Sequence, residues 1–133
     1  MSSRYCEWRL EIPATIEAID QFCTEFHLWR ECNCADLDAF YAELLLREAL
    51  TNSVVHGSKL DPGKRISCVV RVKRGRVVIG IRDEGAGFDW RALWDRQAEP
   101  TATHGRGIEI FRSYANAVRF NQKGNAVTLV KRF

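Results

Sequence analysis

The sequence contains no apolar run approaching the ~20 residues that a membrane-spanning helix needs, so no segment reads as crossing a bilayer. Its first residues, Met1-Ser2-Ser3-Arg4-Tyr5-Cys6-Glu7, meet charge too early for the apolar stretch of a secretory signal. There is no internal repeat and no low-complexity tract. The phosphate-binding pattern GxxxxGK[ST] is missing, and no GxGxxG follows the first predicted strand, so the commonest nucleotide folds find no support. Charge of one sign is scarce as well. The 20 Lys+Arg and 17 Asp+Glu leave a net +3, too little to argue for nucleic acid. The one basic stretch, Arg71, Lys73, Arg74 and Arg76, reads as a solvated hairpin edge that discourages strand pairing. A cytoplasmic chain with no membrane and no direct nucleic-acid partner is expected.

Five cysteines are present, an odd number at irregular spacing. Without an export signal they read as reduced thiols in a reducing compartment. Cys32-Asn33-Cys34 with His27 upstream lacks the second ligand pair that a zinc site needs. What is abundant is the material of a folded domain. Hydrophobic residues make up 46% of the 133 and charged residues 28%, which fits one domain over 1–133 able to bury about two-thirds of its unfolded surface.

Alternation over Arg4 to Ile12 predicts a strand closed by Pro13. Ile16, Ile19, Phe22, Cys23 and Phe26 recur at helical spacing and predict a helix from Ala14 to about Trp29. Asn33 to Asp36 supplies turn chemistry, with Asp36 as the N-cap of a second, largely buried helix from about Leu37 to Val55. Arg65 to Lys73 and Arg76 to Arg82 form a hairpin across Arg74-Gly75. Asp89 to Thr103 has no clear period and reads as a loop containing Trp90 and Trp94. A short helix from Ile108 to about Ala115 precedes a last hairpin, Ala117 to Asn121 and Ala126 to Arg132. The order β-α-α-β-β-loop-α-β-β predicts an α+β sandwich of two layers, a mixed and mostly antiparallel sheet covered by helices on one face.

Three segments carry chemistry. Glu48 and Asn52 are four apart on the oily second helix, so they share a stripe that His56 continues, and such polar groups need partners there. Asp83-x-Gly85-x-Gly87 follows an apolar strand directly, where its glycines permit positive φ and close approach of a ligand to the backbone. His104-Gly105-Arg106-Gly107-Ile108 opens a helix whose free N–H groups suit an anion, and Arg106 adds a planar donor. Each alone is matched by a bland alternative: a solvated stripe, a glycine turn, a loop before a helix.

In this order the three segments resemble the GHKL ATPase superfamily of gyrase-type ATPases, histidine-kinase catalytic domains and anti-sigma factors with serine-kinase activity. Glu43 to Gly57 is similar to its N-box, Asp83 to Phe88 to its G1 box and His104 to Ile108 to its G2 box. The resemblance runs from about Leu37 to the C-terminus and is closest to the anti-sigma/serine-kinase type. It implies ATP and Mg²⁺ as cofactors, with Asn52 as the Mg²⁺ ligand and Asp83 accepting from the adenine amine. It further implies that Gly85 and Gly87 admit the base and lid, that Gly105, Arg106 and Gly107 cradle phosphates, and that Glu48 is the general base. His56, His104 and Ile108 fall within the same boxes. The family's Gly-Thr in the last hairpin is replaced here by Gly124-Asn125, with Thr128 nearby. The implied activity is protein serine/threonine kinase. The implied partners are an RNA polymerase sigma factor and an anti-anti-sigma protein of STAS type, bound by a homodimer. A non-catalytic nucleotide-binding module and a histidine-kinase-like ATPase acting on another partner are the alternatives.

Overall fold

The alternation near the N-terminus places Trp8, Leu10 and Ile12 on one side of a strand, β1 (Cys6–Pro13). The structure, a computed structural model, describes residues 5–87 and 106–133, and of 106–108 the backbone. After β1 come α1 (Ile16–Asn33), α2 (Ala39–Asn52) and a π-helical turn (Ser53–Gly57). The hairpin β2 (Arg65–Lys73) and β3 (Arg76–Asp83) follows, then α3 (Arg106–Tyr114) and the hairpin β4 (Ala117–Phe120) and β5 (Ala126–Arg132). The five strands form one sheet in the order β1-β2-β3-β5-β4. Every pair among them is antiparallel, where the sequence reading allowed a mixed sheet. The protein is an α+β fold. Among the described residues no helix is long and apolar enough to cross a membrane.

One face of the sheet holds the core. Val70, Val72, Val77, Ile79, Ile81 and Leu129 are buried against helix residues such as Phe22, Phe26, Leu45, Leu46 and Leu50. Burying each large side chain is worth about 1.5–3 kcal/mol, which is why the helices settle on this face. Trp8 ties α1 to the edge strand, with its ring stacked on Phe22 at 4.7 Å and on Trp29 at 5.8 Å. The hairpin tip at Arg74-Gly75 has positive φ at both residues (51° and 75°), the backbone that matches strand twist in a two-residue turn.

The helix ends differ in detail from the sequence reading. Thr15 caps α1, accepting from the Ala18 N–H, and α1 runs on to Asn33. The N-cap of α2 is Asp38, which accepts from the Phe40 N–H at 3.0 Å. Asp36 falls in a turn closed by the Leu37 N–H on the Cys34 carbonyl, so Asp38 is the first acidic side chain placed beside free helical N–H groups. The end of α2 does not remain α-helical. The Ser58 N–H donates to the Ser53 carbonyl, a wide i→i+5 bond, and the Leu60 N–H reaches back to the Val54 carbonyl. This unwinding is followed by two non-glycine residues in the left-handed region, Lys59 (φ 54°) and Leu60 (φ 60°).

Left-handed backbone costs an L-residue about 1–2 kcal/mol, and Leu60 is 52% exposed, so its side chain offsets little of that. Leu60→Gly is therefore expected to stabilise the fold by about 1 kcal/mol. A higher urea midpoint at unchanged slope is the readout, and an unchanged or lower midpoint contradicts it.

Candidate functional site

Asp83 ends β3 and is buried to 6% exposure, an unusual position for a carboxylate. Its backbone is held from the neighbouring hairpin. The Asp83 N–H donates to the Asn125 carbonyl at 2.9 Å, and the Asn125 side-chain amide donates to the Asp83 carbonyl at 3.1 Å. Asn121 in turn organises that hairpin, with its Oδ1 accepting from the N–H groups of Gly124, Asn125 and Ala126. Its Nδ2 donates to Asn125 Oδ1 at 2.6 Å. The aspartate is thus fixed by a fully bonded turn rather than by its own strand alone.

The carboxylate sits in a cradle of glycine backbone. A Cβ on Gly57, the last residue of the π-helical turn, would lie 2.3 Å from Asp83 Oδ2. A Cβ on Gly85 would lie 2.0 Å from the Gly57 carbonyl oxygen. Gly57, Asp83 and Gly85 therefore touch, and only hydrogen fits where they meet. Gly87, with φ +87°, presses against the Lys123 carbonyl, where a Cβ would lie at 1.9 Å. Positive φ is thus needed at Gly87, whereas Gly85 is required for close approach. Asp83 Oδ1 accepts from the Gly85 N–H at 2.6 Å, and among the described residues Oδ2 accepts no hydrogen bond. Burial pushes the Asp83 carboxyl above the usual range, against the Gly85 hydrogen bond and the positive charges of Lys64, Lys123 and Arg82. The result is a shielded acceptor with one oxygen committed and the other at the cradle.

Glu48 and Asn52 lie on the last turn of α2, with Asn52 directly before the π-helical turn that reaches Asp83 and Glu48 one turn earlier, and both are half-buried. Burial raises the Glu48 carboxyl above its ordinary value, with Arg47 opposing. This makes it a stronger base than a solvated glutamate. α3 packs against α2, which brings the helix opened by Arg106-Gly107-Ile108 to the same side of the sheet. Asn52 offers a neutral amide oxygen of the kind a hard divalent cation accepts, and the desolvated acceptor in its glycine cradle suits the amine edge of a purine.

Not every predicted position converges. His56 is exposed, because the i→i+5 bonding of residues 53–57 breaks the α-helical stripe that Glu48 and Asn52 begin. Thr128 is exposed on β5 between the inward-facing Val127 and Leu129, so its side chain lies on the sheet face away from the helices and from Asp83. His104 and Gly105, together with Trp90 and Trp94, lie outside the described residues.

Sequence reasoning passed over Gly57 as a wall of the cradle and over Asn121 and Asn125 as its brace. The Asn-x-x-Gly-Asn pattern at 121–125 was the available signal, since asparagine readily bonds nearby backbone in turns. It also passed over Ser58, whose hydroxyl is buried with no hydrogen-bond partner among the described residues.

A shielded acid between two glycines, at the sheet end beside an unwound helix, defines an ATP-binding ATPase module when joined to this α+β fold and to the family match. The model of the histidine kinase-like ATPase domain matches residues 12–131. The chain belongs to that family. A comparison with curated proteins gave no match.

Proposed function

We propose that this ATPase module is an anti-sigma factor with protein serine/threonine kinase activity, working in the cytoplasm as a homodimer. Its two partners are a sigma factor of RNA polymerase, which it sequesters, and a STAS-type anti-anti-sigma protein, which it phosphorylates. The observation that carries this reading is Glu48, a half-buried carboxylate of raised basicity one helical turn from Asn52 and on the helix that leads to Asp83. An imidazole acceptor needs no base to give up a proton. A hydroxyl does, and Glu48 is suited to take it.

In this mechanism Asp83 selects adenine, because its free oxygen accepts from an exocyclic amine and opposes the carbonyl of guanine. Asn52 would hold Mg²⁺, which when bound neutralises triphosphate charge and orients the γ-phosphoryl group. Arg106, at the start of α3, donates to phosphate oxygens. Glu48 removes the proton of a serine or threonine hydroxyl as its oxygen bonds to the γ-phosphorus and the bond to the ADP oxygen breaks.

The test is transfer of labelled phosphate from Mg-ATP to a STAS-domain protein. Glu48→Gln is expected to keep nucleotide affinity within about threefold and to lose roughly 10²–10⁴-fold in transfer rate. Equal rates in the variant remove the base. Nucleotide binding by the unaltered protein with no transfer to any STAS partner favours the non-catalytic module instead.

A further inference from the structure

The second face of the sheet has no helix on it among the described residues, and its register can be followed across all five strands. One row runs Arg9, Val69, Gly80, Thr128, Arg119. The next holds Arg71, Val78, Val130 and Ala117, and at the far end Lys73, Arg76 and Arg132 stand directly opposite one another. The centre is therefore valine, glycine and threonine, the far end and the β4 edge carry arginine and lysine, and the near end is the mixed row Glu11, Ser67, Arg82 and Ala126. The acidic side chains on these strands' outer positions, Glu7 and Glu11, both belong to β1 and are already engaged. Glu7 pairs with Arg9 at 2.6 Å and with Arg71 at 2.9 Å, and Glu11 lies 3.9 Å from Arg65. Arg76, Arg119 and Arg132 form no ion pair among the described residues. The row Lys73–Arg76–Arg132 is thus a set of like charges in register, an arrangement that destabilises an isolated sheet.

We infer that this open face is a docking surface for a protein with an acidic, apolar-centred patch, separate from the nucleotide cradle. An apolar middle flanked by arginine has the composition of a protein–protein interface, and acidic groups arriving at the far end relieve the repulsion among the aligned cations. A second copy of this chain packed about a two-fold axis along the strands is disfavoured, because that axis sets the Lys73–Arg76–Arg132 row against itself. Nucleic acid fits poorly too. The central strands offer no outward aromatic ring on which a base could stack, and valines occupy the middle where a phosphate backbone would find nothing to bond. The five strands, at a spacing of ~4.8 Å, span about 20 Å, a width on the scale of a small interface.

The inference is tested on the full chain carrying a photo-crosslinking amino acid at Val130, with the same group at Glu31 on α1 as the control. A protein captured through Val130 alone is identified, purified and titrated with the unaltered chain and with the Arg119→Glu/Arg132→Glu variant. The expected partner has an acidic surface. Its affinity falls at least tenfold in the charge-reversed variant and much less in Arg119→Gln/Arg132→Gln, while adenine-nucleotide affinity stays within twofold in both. Nucleotide binding is read separately, so failure here leaves the proposed kinase untouched, and the reverse. Equal capture through Glu31, or a captured protein that binds the charge-reversed variant as tightly, overturns the inference. So does binding of a 20-base-pair DNA duplex or of phosphatidylserine vesicles through these arginines with no protein captured.

Discussion

Asp83→Asn is expected to weaken adenine-nucleotide binding by at least tenfold, and by about a hundredfold if the full value of a charge-assisted hydrogen bond is lost. The amide keeps the shape of the carboxylate but replaces one acceptor with a donor, which then faces the donor edge of adenine. The same change should not lower stability near neutral pH. Burial raises the Asp83 carboxyl in the folded state, so ionising it opposes folding. Its protonated form is favoured by folding, and stability falls as pH rises from the unfolded aspartate range through the elevated folded value. The asparagine variant lacks that titration and should hold its melting temperature across this window. Calorimetry with Mg-ATP and a melting series against pH read both effects. Retained affinity, or a fall in melting temperature at pH 7 equal to that of a core deletion, would contradict the assigned role.

Gly85→Ala is expected to cost roughly 3 kcal/mol or more, because its Cβ meets backbone rather than a movable side chain. The Gly57 carbonyl would have to retreat from 2.0 Å, and with it the end of the helix that carries Glu48 and Asn52. Gly57→Ala provides the internal comparison. Its added methyl strikes the Asp83 side chain, so Gly57→Ala combined with Asp83→Ala should recover much of the loss, whereas Asp83→Ala should recover little of the loss in Gly85→Ala. Urea denaturation of the two double-mutant cycles measures the difference, and equal coupling in both refutes the backbone contact.

The hairpins were the most legible part of the sequence. Alternation with a two-residue tip fixes register, so Arg65–Lys73 and the start of Arg76–Asp83 could be read to the residue. Helix existence was as clear, but the ends were not. Asp36 was the expected cap, and the turn closed on the Cys34 carbonyl takes it out of that position and leaves Asp38 to fill it. The change to i→i+5 bonding at Ser53 left no mark, because it is a property of backbone bonding and side-chain period cannot encode it. That is why His56 looked like a continuation of the Glu48/Asn52 stripe. Asp83 was conspicuous from its strand-end position beside glycines. Its brace, Asn121 and Asn125, is marked in sequence only as a turn, and its bond to Asp83 follows from β5 lying beside β3, a pairing of residues some forty apart. Thr128 was judged by proximity in sequence, and in a strand a step of one residue changes the face.

The thiols have a practical consequence. Cys23, Cys34 and Cys68 are buried, and burial pushes them up to about 11, 11 and 12, while Cys32 is exposed. A maleimide or other alkylating reagent should therefore tag Cys32 at once and reach Cys68, between sheet and helices, only when the interior opens. Mass increments counted over time would give a built-in stopwatch for the opening rate, and slower tagging with Mg-ATP added would report how firmly the occupied cradle holds the domain shut.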